Sequence, residues 1–274
     1  MKDFWKIFRM TVGVLCLAGL VFSALRLYEI QAEYERGARA YEALSRQYVR
    51  PREPEEETGE KEAALEEGTD KKGPETAGDG PPIQVDFSAL KENCKDAVAW
   101  LYCEGTPINY PVVQGGDNEY YLRRRPDGQW QYSGTLFLDY RNEKDFSSPN
   151  SIIYGHNMKD NSMFGCLTSY REPGFYEEHP VLWLFTEEAE YRIEVFAGLV
   201  VPASAKVYSF PQSAAGRQEF IDYAKRHSSF RADVDIREED RLVTLSTCTY
   251  EYEDARYLLA GILEIHSKGS FFTD

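Results

Sequence analysis

The stretch TLSTCTYEYEDAR, residues 244–256, contains the residue types of a nucleophilic site. Cys248 ends an apolar, strand-like run, and Arg256 opens the next one. If the two runs pair as an antiparallel hairpin, Cys248 and Arg256 lie across from each other, and directly opposed residues have Cβ atoms about 5 Å apart. A guanidinium at that distance favours a thiolate and can donate a hydrogen bond to a carbonyl oxygen. The spacing predicts a cysteine nucleophile with an arginine beside it.

A thiol nucleophile also needs a group that moves protons, and His156 has the most suitable setting among the four histidines. It follows the apolar run SIIYG, and catalytic side chains tend to project from strand ends and adjoining loops. The other three are interpreted as surface or capping residues: His179, His227 and His266. Spacing alone leaves an alternative open, in which Cys248 is a buried core residue without a catalytic role.

Short runs rich in β-branched and aromatic residues must position these side chains. We predict eight strands, at 97–103, 110–114, 134–140, 151–156, 181–186, 191–201, 241–248 and 256–265. Eight short strands indicate a closed barrel, so the predicted fold is mainly β. Helices are predicted at 86–96, 117–124, 162–170 and 213–227, the last of them inserted before the cysteine strand.

The N-terminus predicts a membrane anchor. Residues 10–25 are an uninterrupted run of apolar and small residues between Arg9 and Arg26. At about 1.5 Å per residue the run is slightly short for a bilayer core of about 30 Å, so its flanks must help to span it. Basic residues precede the run and acidic residues follow it, which predicts a cytoplasmic tail at residues 1–9 and a single-pass protein whose remainder is extracytoplasmic. A cleaved signal peptide is the alternative, but no convincing small-x-small cleavage site precedes Arg26.

Residues 26–49 and 50–82 differ in composition. In the first segment, apolar residues recur at spacings of three, four and seven, which predicts an amphipathic helix. Its apolar stripe docks on the folded domain or forms a short dimer stalk, and Gly37 within the stripe weakens the stalk alternative. The second segment has eleven acids, five bases and almost no large apolar residue, which predicts a disordered acidic tether. Residues 83–274 remain as the predicted catalytic domain.

The charge of the chain excludes some partners. The net charge is −15, of which the tether carries −6 and residues 1–49 carry +2, so residues 83–274 carry −11. Nucleic acid and anionic lipid headgroups are therefore not expected to bind the domain. Three acids follow the cysteine on one short loop without a spaced partner set, so we predict a solvated loop rather than a metal site: Glu251, Glu253 and Asp254.

The cysteine count bears on the nucleophile as well. Five cysteines in 274 residues are too few for a disulfide-stapled fold, so Cys248 is not expected to be a staple. Cys16 lies within the predicted anchor as an apolar filler, and Cys166 is expected in the core. A disulfide between Cys94 and Cys103 stays open as a minor alternative.

Several motifs together resemble the sortases, the membrane-anchored cysteine transpeptidases of Gram-positive bacteria. These are TLSTC followed by an arginine eight residues after the cysteine, and YGHNM upstream. Class B members in particular are resembled by GTPINYPVVQGGDNEYYL at 105–122, by GTLFLDYRN at 134–142 and by the helix-forming insertion at 207–230. The resemblance extends over nearly all of residues 86–265. It implies an eight-stranded sortase barrel with N-terminal helices. The long acidic tether departs from the class B pattern, in which the anchor usually lies nearer the domain.

The resemblance also implies roles for individual residues. Cys248 is expected to be the nucleophile, His156 the general acid and base, and Arg256 the group that binds the substrate backbone and the developing oxyanion. Three further residues match positions that line the sorting-signal groove of class B enzymes: Asn118, Leu122 and Ser246. Read without the resemblance, these three are a helix cap, a core leucine and a strand hydroxyl.

The implied reaction cleaves a C-terminal sorting signal of secreted proteins after threonine and joins the acyl group to a cell-wall amine. The expected partners are those secreted proteins, a peptidoglycan precursor or pilin amine as acceptor, and the membrane through the N-terminal helix. No cofactor and no metal, calcium included, are expected. Two alternatives stay open, a cysteine hydrolase with the same cysteine and histidine, and a non-catalytic membrane-tethered wall-binding module. The sequence leaves the sorting motif and the acceptor open.

Overall fold

A computed structural model describes residues 2–52, 80–209 and 214–268. These residues form a long N-terminal helix, a closed barrel of eight strands, a small two-stranded sheet and several short helices. The prediction of a mainly β, eight-stranded barrel with N-terminal helices and a helix inserted before the cysteine strand is confirmed. Residues 210–213 and 269–274 of the predicted catalytic domain, which include the first residue of the helix predicted at 213–227, lie outside the described residues.

Each predicted strand matches one strand of the barrel. The barrel strands are β3 (Ala97–Tyr102), β4 (Asn109–Val113), β5 (Leu136–Leu138), β6 (Asn150–Tyr154), β7 (Val181–Phe185), β8 (Ala189–Pro202), β9 (Arg241–Cys248) and β10 (Ala255–Lys268). They close in the order β10-β8-β7-β3-β4-β5-β6-β9. Most neighbours are antiparallel, but β4 pairs with β5 and β6 pairs with β9 in parallel. Parallel β6 and β9 therefore end at the same edge of the barrel.

The described helices differ from the predicted ones in type and length, and the short helix Phe175–Glu178 was not predicted. The α-helices are α1 (Lys2–Tyr48), α2 (Phe87–Asn93), α3 (Phe175–Glu178) and α4 (Ala214–His227). The helices predicted at 117–124 and 162–170 are 3₁₀ helices, at Tyr120–Arg123 and Gly165–Arg171. At the first of these, the Asp117 carboxylate accepts from the backbone N–H groups of Glu119 and Tyr120, which favours a tight turn over a longer helix.

Alternating side chains of the strands form one core inside the barrel and further apolar clusters outside it. Inside the barrel, Val243 of β9 and Leu259 of β10 belong to the main cluster. Their neighbours Leu242 and Leu258 point outward, as the two-residue period of a strand requires, and pack with the apolar face of α4. The helix before the cysteine strand therefore covers the outer face of the hairpin that contains Cys248.

The apolar stripe of α1 docks on the barrel. Tyr41 is 4 % exposed and Tyr48 is 2 % exposed, and the half-buried Tyr34 and Leu44 pack on the same surfaces. Gly37 lies where helix and barrel approach closely, since a Cβ atom there would lie 2.6 Å from the Gln131 amide nitrogen. Of the two alternatives for this stripe, the structure has the docked helix.

Residues at both ends of the predicted tether belong to the folded unit. Strand β1 (Val49–Pro51) pairs with β2 (Ile83–Val85), and the Arg52 N–H donates to the Pro82 carbonyl at 2.9 Å. Arg52 also forms an ion pair with the buried Glu190 of β8. The remaining residues of the tether, 53–79, lie outside the described residues. Because its two ends are adjacent, the segment 50–82 does not separate α1 from the barrel.

Helix α1 also contains the predicted membrane anchor. Within the described residues it is the one helix that is long and apolar enough to cross a membrane, with a mean hydropathy of 2.0 over its best 18-residue window. None of that window is buried against the rest of the protein. Length and composition do not distinguish an anchor from a signal sequence, so the anchor at 10–25 stays a prediction.

Candidate active site

The predicted opposition of Cys248 and Arg256 is confirmed. Cys248 is the last residue of β9, Arg256 is the second residue of β10, and the two are direct partners in the antiparallel register. Thr249 N–H donates to the Ala255 carbonyl at 3.0 Å and closes the connecting loop. Directly opposed residues have Cβ atoms about 5 Å apart, so the thiol and the guanidinium share one side of the hairpin.

The parallel pairing of β6 with β9 brings His156 to the cysteine. Tyr154 of β6 is the register partner of Ser246, two residues before the nucleophile. Three hydrogen bonds continue this alignment past the end of β6: Gly155 N–H to the Ser246 carbonyl at 3.1 Å, Thr247 Oγ1 to the Gly155 carbonyl at 2.8 Å, and Asn157 Nδ2 to the Cys248 carbonyl at 2.8 Å. Neighbouring chains at strand spacing lie about 4.8 Å apart, so His156 lies beside Cys248.

A backbone carbonyl orients the imidazole of His156. The ring nitrogen Nε2 lies 2.7 Å from the Leu122 carbonyl oxygen. Because a carbonyl oxygen only accepts, Nε2 carries the hydrogen, and Nδ1 is the acceptor in the neutral ring. The pKa of His156 is lowered, mainly by burial and further by the nearby Arg123, while the hydrogen bond to the Leu122 carbonyl works in the opposite direction.

The four other cysteines differ from Cys248 in their surroundings. All five cysteines are free thiols, so the Cys94–Cys103 disulfide is not formed. Burial raises the pKa of Cys94 and of Cys103 to about 11 and that of Cys166 to about 12, which makes these thiols poor nucleophiles. Cys248 is half-buried and lies at the end of its strand, so it is accessible where those three are not.

One cleft contains all six residues that the sequence singled out. It has a volume of about 320 Å³. Its lining includes the predicted trio and the three predicted groove residues: Cys248, His156, Arg256, Asn118, Leu122 and Ser246. A thiol, an imidazole and a guanidinium around one cleft can attack a carbonyl, move a proton and stabilise an oxyanion.

The three groove residues differ in how much of each side chain is free. Leu122 is 36 % exposed, so it is a surface residue rather than a core leucine. The Asn118 amide is engaged at both ends, donating to Asp139 Oδ2 and accepting from the Tyr140 N–H, each at 3.0 Å. Ser246 is buried, and its hydroxyl lies 2.8 Å from the Tyr208 hydroxyl.

Below the cleft lies a buried carboxylate that sequence reasoning missed. Asp139 binds the Arg141 guanidinium at 2.8 Å and accepts from the Tyr154 hydroxyl at 3.0 Å. Burial opposes the charge of Asp139, but the hydrogen bonds from Arg141, Asn118 and Tyr154 outweigh it and lower its pKa. The Arg141–Asp139 ion pair holds the carboxylate in place, and the hydrogen bond to that carboxylate in turn fixes the Tyr154 ring.

Tyr154 and Tyr208 also line the cleft and were not predicted. Their rings stack with centroids 6.2 Å apart and form one aromatic wall. Alternation along β6 would have indicated Tyr154, since it lies two residues before His156 on the same side of the chain. Tyr208 lies in the 3₁₀ helix Lys206–Ser209 between β8 and α4, and its residue type there carried no signal.

One of the three acids after the cysteine has partners within the protein. Glu251 forms an ion pair with Arg171 and accepts from the Thr249 hydroxyl, which holds the loop against the 3₁₀ helix at Gly165–Arg171. Across the described ranges 2–52, 80–209 and 214–268, no group of three or more histidine, cysteine or acidic side chains could hold a metal ion. The loop is therefore held at one acid rather than solvated at all three.

Comparison with known proteins gives consistent relatives. Sortase B of Staphylococcus aureus (strain NCTC 8325 / PS 47) is 32% identical over 184 residues, which cover 67% of this chain and 75% of that protein. Sortase B of Listeria monocytogenes serovar 1/2a is 36% identical over 186 residues, which cover 66% of this chain and 75% of that protein. No protein-family model matches the chain.

Solved structures agree with these relatives. A sortase B–substrate complex from S. aureus superposes with a TM-score of 0.63 at 32% identity, covering 66% of this chain and 86% of that one. Sortase B of Clostridium perfringens superposes with a TM-score of 0.60 at 27% identity, covering 64% and 98%.

Proposed function

Because this chain belongs to the sortase B family of cysteine transpeptidases, we propose that it cleaves a C-terminal sorting signal of secreted proteins after a threonine and joins the new acyl group to a cell-wall amine. The observation that carries this proposal is the cross-strand pair of Cys248 and Arg256 with His156 beside it. Each of the three supplies a different chemical requirement of acyl transfer from one peptide to another.

In the first half of the reaction, the Cys248 thiolate attacks the threonine carbonyl carbon. The developing oxyanion needs a fixed donor, and Arg256 supplies it. Arg256 lines the cleft, and one of its N–H groups donates to the Ala255 carbonyl at 3.0 Å, which holds the guanidinium in place. As the C–N bond breaks, His156 gives its proton to the departing amine, and a thioester remains on Cys248.

In the second half, an amine from a peptidoglycan stem or cross-bridge attacks the thioester. His156 takes the proton that the amine loses, Cys248 leaves as thiolate, and a new amide bond joins protein and wall. A lowered pKa makes the imidazolium of His156 scarce at neutral pH. The state with thiolate and imidazolium together is then a minority, and we expect slow turnover.

The peptide is proposed to lie along the wall that contains Leu122 and the stacked tyrosines. Leu122 exposes apolar surface for a substrate side chain. The polar groups of Asn118 and Ser246 are hydrogen-bonded within the protein. These two residues therefore stabilise the wall of the cleft rather than offer hydrogen-bonding groups to the peptide. The expected signal has five residues with proline second and threonine fourth, as the class B likeness implies.

The proposed location is the cell membrane of a Gram-positive cell. Residues 1–9 lie in the cytoplasm, residues 10–25 span the bilayer, and residues 26–274 lie outside it, with an acidic segment at 50–82. The apolar, unburied window of α1 supports this arrangement. Substrates are secreted surface proteins, and the acceptor is a peptidoglycan precursor or a pilin amine.

Mass spectrometry of the protein incubated with a peptide library tests the proposal. We expect a thioester adduct on Cys248 for peptides that carry the signal, and an amide product when an amine is added. Hydrolysed peptide at the same rate with and without amine would show a cysteine hydrolase. Peptide binding without any adduct on Cys248 would show a non-catalytic wall-binding module.

A further inference from the structure

A buried tyrosine connects helix α1 with the segment that follows Leu122. Tyr41 lies on the docked part of α1. Its hydroxyl donates to the Gly134 carbonyl and lies 2.8 Å from the Thr135 hydroxyl. Thr135 in turn donates to the Arg124 carbonyl at 2.8 Å. The Tyr41 phenol therefore contacts both residues at the C-terminal end of the loop 124–135, and the Thr135 hydroxyl connects that end with the Arg124 carbonyl at the other end.

Gly134 lies directly against the carbonyl group that holds His156. Its φ of +58° suits glycine, and a Cβ atom there would lie 2.5 Å from the Leu122 carbonyl oxygen. That oxygen is the one that accepts from His156 Nε2 at 2.7 Å. Any shift of Gly134 is therefore transmitted to the hydrogen-bond acceptor of His156, since backbone atoms in close contact have no side-chain freedom to absorb it.

We propose that Tyr41 is a positioning residue, which acts through Gly134 and the Leu122 carbonyl to keep the His156 imidazole in the orientation that proton transfer needs. The inference rests on the role of His156 in the proposed function. It gives α1 a part in catalysis in addition to its connection with the N-terminal apolar segment.

The same geometry predicts how the ring responds when the contact is lost. A carbonyl acceptor at Nε2 both sets the ring plane and favours the imidazolium. A displaced Leu122 carbonyl therefore leaves the ring less well oriented and lowers its pKa further. The titratable and charged groups around His156 are Arg123 at the end of the 3₁₀ helix Tyr120–Arg123, Cys248 and Arg256 from the hairpin, and Tyr154 and Tyr208 from the aromatic wall.

The test is Tyr41→Phe in the full chain, with Tyr48→Phe as the matched control. Tyr48 lies on the same helix and is as deeply buried, but it packs with α2 and β2, away from the loop 124–135. Loss of one hydrogen bond that supports the active geometry corresponds to about a two- to tenfold fall in rate. We expect kcat of Tyr41→Phe to fall by that factor with KM for the peptide nearly unchanged. The NMR titration midpoint of His156 should also fall, and Tyr48→Phe should match the wild type in both.

Two outcomes overturn the inference: wild-type kcat and midpoint in Tyr41→Phe, or an equal loss of kcat in Tyr48→Phe. If Tyr41→Phe folds poorly, Gly134→Ala displaces the Leu122 carbonyl directly while Tyr41 stays unchanged, and wild-type kcat and midpoint there are equally decisive. His156→Ala separates the two proposals. Turnover retained in His156→Ala overturns the proposed function, whereas an inactive His156→Ala beside an unaffected Tyr41→Phe overturns only the positioning role.

Discussion

We expect a shortened protein that begins at residue 83 to be much less stable than one that begins at residue 27. The sequence puts the domain boundary at 83, because no motif residue precedes it. The start at residue 83 removes the docked part of α1 and strand β1, and it uncovers the barrel surface on which Tyr41 and Tyr48 are buried. Both shortened proteins lack residues 1–26, so only the docked segment and the acidic segment distinguish them.

The size of the effect follows from the docked side chains. Burial of a large apolar side chain contributes roughly 1.5–3 kcal/mol, and Tyr41 and Tyr48 are both almost fully buried. Hydrogen bonds are lost as well, among them that of Tyr41 to the Gly134 carbonyl and the 2.9 Å bond from Asn109 to Ser45, at about 1 kcal/mol each. Extending a helix is nearly neutral in free energy, so these contacts decide the balance. The loss is on the order of 5 kcal/mol, against about 5–15 kcal/mol for a whole domain.

Thermal unfolding and gel filtration of the two shortened proteins measure this loss. For a domain of this size, about 1 kcal/mol corresponds to about 2–4 °C in Tm, so we expect a difference of roughly 10–20 °C. The protein that begins at 83 should also aggregate, because apolar surface is exposed. Tyr48→Ala in the protein that begins at 27 should lie in between. Equal Tm values and two monomeric proteins would refute the reasoning and restore the boundary at residue 83.

Three further predictions concern the site. Cys248→Ala should abolish acyl transfer, and in the wild type an alkylating agent should label Cys248 and spare the buried thiols, as peptide mapping would show; transfer retained by the alanine variant refutes the assignment. Arg256→Lys should lose roughly a hundredfold in peptide turnover while Cys248 alkylation persists, because lysine keeps the charge without the planar fork of donors; unchanged turnover means that geometry is unimportant. Because the pKa of His156 is lowered, its NMR titration midpoint should lie below about 6.5. The free energy of unfolding should fall as the pH drops from about 6.5 to that midpoint, because the unfolded chain binds the proton first. Arg123→Gln should raise the midpoint slightly, and Arg124→Gln, whose guanidinium lies over Tyr120, should not; a midpoint that stays fixed in Arg123→Gln contradicts that cause.

Much of the site could be predicted because its determinants are local in sequence. The two-residue period of β9 fixes the side on which Cys248 lies, and the short loop 249–254 leaves β10 few ways to return. The position of Arg256 opposite Cys248 could therefore be predicted from the spacing of the two residues in the sequence. The eight strands were recognisable for a similar reason, since each is a run of β-branched and aromatic residues between polar turns.

Other features carry no signal in residue types. The acceptor of His156 is a backbone carbonyl, which every residue has, so the identity of Leu122 does not predict that contact. Strands β1 and β2 have three residues each and lie at the two ends of a strongly charged segment. The composition of that segment predicts disorder, so it gave no indication that the two strands pair. The docking of α1 stayed open because an apolar stripe indicates a buried face without indicating its partner.

The meeting of Cys248 and His156 depends on the register between two parallel strands. A slip of one residue would turn the Cys248 side chain to the opposite face of the barrel wall. Apolar packing alone tolerates such a slip poorly but does not exclude it, whereas buried polar pairs have one satisfied alignment. Two such pairs lie on this seam, Thr244 Oγ1 with Asn150 Oδ1 at 2.9 Å at its start and Thr247 Oγ1 with the Gly155 carbonyl at 2.8 Å at its end. Thr244 and Thr247 of TLSTC therefore have a structural role, because their hydroxyls fix the alignment that puts the thiol next to the imidazole.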